Sequence, residues 1–140
     1  MSSGSVSSGP GAGGPVSDAF EYAVLRVVPR MDRGEYVNVG VVLYCQNADY
    51  LGVQLQVDDA RLAALAPDLD TESVLQALDA VQAVCAGDPR AGRSGTGSRR
   101  ERFGWLTAPR STVVQAGPVH SGVTTDPAAQ LDRLVDRLVR

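Results

Sequence analysis

The chain has 140 residues, with 16 Asp or Glu against 13 basic residues, one His and two Cys. This is one domain's length, and a hydrophobic fraction of 44% with 21% charged residues excludes wholesale disorder. The acidic balance excludes a strongly basic protein that coats nucleic acid, and one His with two separated Cys excludes the usual tetrahedral zinc site.

Residues 1–17 contain 13 Gly, Ser or Pro and read as a disordered tail, too poor in apolar area to offset its own ordering entropy. The tail has no basic segment followed by an apolar one, so no secretory signal is expected. No apolar run approaches the roughly 18 residues that cross a bilayer. The protein is therefore expected in the cytoplasm, with Cys45 and Cys85 buried and reduced.

Residues 18–140 read as a single α+β domain. FEYAVLRVV (20–28) is a strand stopped by Pro29, and PRMDRG suits a turn. EYVNVGVVLYC (35–45) is the clearest strand. Simple alternation puts Val37, Val39, Val41 and Leu43 on one face, and both faces turn apolar toward its end, which places it centrally. YLGVQLQV (50–57) alternates strictly, with Leu51, Val53, Leu55 and Val57 inward. Three strands joined by short turns predict an antiparallel meander with one solvated face.

DDARLAALAP predicts a short helix capped by Asp58 and stopped at Pro67. Residues 71–87 predict a longer one with Val74, Leu75, Leu78, Val81 and Cys85 as its stripe and Gly87 beyond its end. Residues 88–102 hold five arginines against Asp88 and Glu101, whereas residues 18–87 hold four arginines against eleven carboxylates. With no apolar period, 88–102 reads as a mobile Arg-rich loop. A strand follows at 111–116, then a helix over 126–140 capped by Asp126, with Pro127 in its first turn and Leu131, Leu134, Val135 and Leu138 as its stripe. The expected architecture is an antiparallel sheet of about four strands with two main helices packed on one face.

Chemistry is concentrated between Trp105 and Ser121, which hold the only Trp and the only His. Pro109 fixes the backbone before Arg110, and Ser111 and Thr112 follow, so Arg110, Ser111 and Thr112 form a candidate anion cradle or, equally, a turn closed by hydroxyl hydrogen bonds. His120 is a candidate ligand contact, more often a structural histidine. A hydrolase or nuclease with His120 as base is the remotest reading, because no G-x-S-x-G turn exposes a serine. Asn38 is disfavoured at a strand centre and needs a partner, either a ligand or a neighbouring loop. The chain has no Lys, so a phosphate loop is impossible, and no cofactor or metal is expected. Nucleic-acid binding by the arginines of 88–102 is disfavoured by the absence of interleaved aromatics.

Three segments, EYAVLRVVPR (21–30), RGEYVNVGVVLY (33–44) and FGWLTAPRSTVVQAGPVHSG (103–122), together resemble the bacterial family catalogued as domain of unknown function 3037. The resemblance runs from about Glu21 to the C-terminus. Its motif positions here are Glu35, Asn38, Gly40, Trp105, Thr107, Pro109, Arg110, Ser111, Thr112, Gln115 and His120. It brings no reaction. Its members are often encoded beside kinase-fold proteins similar to the HipA toxins, which implies a non-enzymatic accessory or interaction module. The alternative is a binder of a phosphate-bearing ligand or nucleic acid through Asn38, Arg110, Ser111, Thr112 and His120.

Overall fold

The computed structural model describes residues 17–29, 34–110 and 112–140. Five strands form one sheet: β1 (Asp18–Val27), β2 (Val37–Cys45), β3 (Tyr50–Leu55), β4 (Val114–Ala116) and β5 (His120–Thr124). The helices are α1 (Asp59–Leu65), α2 (Thr71–Ala86), α3 (Arg99–Thr107) and α4 (Pro127–Leu138), with a 3-10 segment at Pro89–Gly95. The sheet is antiparallel, in the order β3-β2-β1-β4, and β5 pairs with the other half of the β1 edge that β4 occupies. The α+β class, the central position of β2 and the caps Asp58 and Asp126 are those expected, and Asp70 caps α2.

Two irregularities shape the sheet. Leu25 pairs with Gly40 but Arg26 pairs with Asn38, so Val39 is an extra residue in β2. This bulge breaks the expected alternation. Val37, Val39, Val42 and Tyr44 join the core beneath α2 and α3, whereas Val41, Leu43 and Cys45 turn to the opposite face, against α4. The second irregularity is on the edge strand. Leu25 pairs with Ala116 and Tyr22 with His120, so four steps on one strand match three on the other. The extra residue falls in Gly117–Val119, where Pro118 has no N–H to give to a ladder.

The helices consequently divide between the two faces. Leu62 of α1, five residues of α2, and Phe103 and Leu106 of α3 close over Ala23, Leu25 and Val27 on one side. Leu131, Leu134, Val135 and Val139 close over Phe20, Val41, Leu43 and Cys45 on the other. The expected packing of both main helices on one face fails for α4, because a central strand that is apolar on both faces must be covered on both. In α2, Val84 rather than Leu75 completes the buried stripe, and Leu75 is 52% exposed.

Much of the stretch read as a mobile loop is regular structure. Asp88 caps the 3-10 segment, and Ser98 and Glu101 cap α3 reciprocally, the serine hydroxyl accepting from Glu101 N and the Glu101 carboxylate from Ser98 N. Arg99 pairs with Asp49 at 2.9 Å, Arg100 with Glu21 at 3.5 Å, and Phe103 stacks on Tyr44. The tail at 1–17 lies, but for Ser17, outside the described residues.

Cys45 and Cys85 are free and buried. Desolvation pushes the Cys85 thiol up from 9.0 to about 11, against a smaller opposing pull from Arg102. The unfolded chain releases that proton from about pH 9 and the folded chain holds it to about 11. Stability is therefore expected to fall as pH rises through this window. Tyr50, whose phenol is also pushed up by burial, acts in the same direction. Urea midpoints at pH 8 and pH 10.5 check this, and Cys85→Ala should shrink the drop between them. An unchanged drop would place the titration elsewhere.

Candidate functional site

Arg110 follows the end of α3. Its guanidinium lies 3.8 Å from the centre of the Trp105 ring and donates through Nη2 to the Trp105 carbonyl. That carbonyl belongs to the last turn of α3, whose dipole favours a cation there. Arg110 thus closes a helix end, beside Leu25, Val81, Leu106 and Val114 of the α2–α3 side. Ser111 lies outside the described residues. The Thr112 hydroxyl donates to the Val114 carbonyl at 2.7 Å, and the Thr112 carbonyl accepts from Gln115 Nε2 at 2.9 Å. These two bonds close the stretch from Thr112 to Gln115 that leads into β4.

His120 is on the other face. It is the cross-strand partner of Tyr22, with ring centres 5.3 Å apart, and is exposed. Ser121, its neighbour along β5, points to the opposite face beside Glu21, Tyr44 and Arg100, so the two cannot act as base and nucleophile. Asn38 donates through Nδ2 to the Leu138 carbonyl at 3.0 Å, and Arg61 donates to the Val139 carbonyl at 3.3 Å. Together they hold the C-terminal end of α4 against the sheet.

Of the predicted residues that are described, Asn38, Arg110 and His120 are therefore not brought together. The recess of about 490 Å³ that holds Asn38 and the gap of about 20 Å³ that holds Arg110 share no residue. Among the described residues no group of three or more His, Cys, Asp or Glu is placed to hold a metal, and no helix is long and apolar enough to cross a membrane.

Sequence reading missed Arg26. It is the penultimate residue of β1, opposite Asn38 on one side and Gln115 on the other. Its guanidinium lies 4.2 Å from the centre of the Tyr36 ring and is packed on Gly117, where a Cβ would come within 2.8 Å of Nη2. Arg26 Nε and Asn38 Oδ1 are both buried with no hydrogen-bond partner. The signal in the sequence was a basic residue set between Leu25 and Val27, in the apolar half of a strand whose carboxylates, Asp18 and Glu21, lie toward its start.

A protein-family description, Protein of unknown function (DUF3037), matches residues 22–139, the family that the three segments resemble. No curated protein and no solved structure matches the chain.

Proposed function

We propose that this chain, which belongs to the DUF3037 family, is a non-enzymatic cytoplasmic accessory module that works by binding a kinase-fold partner similar to the HipA toxins. The observation that carries this reading is the dispersal of the polar motif residues. Arg110 closes the end of α3 on one side of the sheet, His120 stands on the other, and Asn38 holds α4. A catalytic site needs base, nucleophile and orienting group within reach of one another. The alternative, a phosphate-binding site of Asn38, Arg110, Ser111, Thr112 and His120, is supported less well, because Arg110 packs on the α2–α3 side of the sheet whereas His120 pairs with Tyr22 on the other.

The choice of partner rests on the gene neighbourhood that the family resemblance brings. Co-expression of the chain with the kinase-fold protein encoded beside it, followed by gel filtration, tests the reading. Co-elution in a fixed ratio is expected. Separate elution of the two at micromolar concentration overturns it.

A further inference from the structure

Helix α4 packs mainly over β2 and β3 and covers Phe20 at the start of β1, leaving the Tyr22–Arg26 part of the same face less covered. The side chains of β1 on its other face, Ala23, Leu25 and Val27, are buried, whereas Tyr22, Val24 and Arg26 are only half-buried. Asp132 of α4 accepts from Gln54 of β3. Arg137 lies about 140° round the helix from Asp132, away from the flank that meets β3, because each residue turns the helix by roughly 100°. Between Phe20 and Arg26, β1 presents no carboxylate on this face, and Gln115, His120 and Gly122 across from it present none either. In a chain with more acidic than basic residues, this strip is positive.

We propose that this strip docks an acidic segment of a partner protein, with Arg26 taking one of its carboxylates. The proposal rests on the reading of the chain as an interaction module and gives that module its surface. Arg61, Arg90, Arg99, Arg100 and Arg140 each have a carboxylate within 4 Å. Arg26 has neither a hydrogen bond nor an ion pair among the described residues, and its guanidinium packs on the Tyr36 ring and beside Gly117. A guanidinium fixed in this way keeps a planar fork of donors ready for a carboxylate, and little side-chain freedom remains to be lost on binding. Tyr36 also lines the recess of about 490 Å³ with Asn38 and Leu65, which has room for a neighbouring side chain of the segment.

A nucleic acid suits this surface less well. Its affinity grows with the number of phosphates neutralised, and this strip offers few cations. Tyr22 is already paired with His120 and Tyr36 lies under Arg26, so neither ring is a free platform for a base.

The test is an NMR titration of the full chain with a blocked hexaglutamate peptide, with an oligothymidylate and inorganic phosphate as separate arms. The peptide should shift the amides of Val24, Arg26, Gln115 and Gly117 and the Arg26 Nε–H signal. Arg26→Ala should weaken peptide binding about tenfold, as expected for loss of a charge-assisted hydrogen-bonded contact. Gly117→Ala keeps the charge and pushes only the far end of the Arg26 side chain, not backbone, out of its place, so it should weaken binding while the fold persists. Shifts located elsewhere, or affinity indifferent to both variants, overturn the proposal. So does a stronger response of the same amides to the oligothymidylate or to phosphate. Co-elution with the kinase-fold protein that survives Arg26→Ala removes this surface and leaves the module reading standing.

Discussion

Gly40→Val is expected to lower the free energy of unfolding by about 3 kcal/mol, the upper end of what forcing atoms into a packed site costs. Gly40 stands at the bulge, paired with Leu25 on one side and Leu55 on the other. A Cβ there would lie 2.6 Å from Leu55 Cδ2 and 2.7 Å from the Gln54 carbonyl oxygen. The leucine end can swing away, but the carbonyl is backbone and can move only with β3. Against a typical total of roughly 5–15 kcal/mol, such a loss is a large share of the stability. Chemical denaturation of the variant measures it. A loss below about 1 kcal/mol would mean that β3 is not packed this tightly on β2.

The second large effect is expected from Leu134→Ala, which should cost about 2–5 kcal/mol. Leu134 is 1% exposed and belongs to the cluster between α4 and the sheet, with Phe20, Val41 and Leu43. The loss combines the transfer energy of the deleted methyls with the cavity they leave. Leu75→Ala on the outer side of α2 is the control and should change stability by no more than about 0.5 kcal/mol. If Leu134→Ala were as mild as the control, α4 would not be the cover of this face. The division of helices between two faces would then be wrong.

The legible parts of the fold were those set by local chemistry. The alternation of Leu51, Val53 and Leu55 and the caps Asp58 and Asp126 each act within a few residues of chain, and each appears where expected. The bulge at Val39 depends on which residue β1 places opposite it, and no local pattern carries that information. The reciprocal cap of Ser98 and Glu101 was a readable signal ahead of Phe103 and Leu106, but the surrounding Gly and Arg concealed it. At the site, motif membership marked Asn38, Arg110 and His120 without indicating that the first two direct their donors to backbone carbonyls nearby. Arg26 matters because the register brings it against Tyr36 and Gly117, which are 10 and 91 residues further along the chain.

The most direct measurement is calorimetric titration of the kinase-fold partner into the wild-type chain and into Arg26→Ala, Arg110→Ala and His120→Ala. Arg26→Ala should bind about tenfold more weakly, while the other two stay within about twofold of wild type, because one closes a helix end and the other makes a cross-strand ring pair. Loss of binding in both Arg110→Ala and His120→Ala, with Arg26→Ala unaffected, would contradict the account.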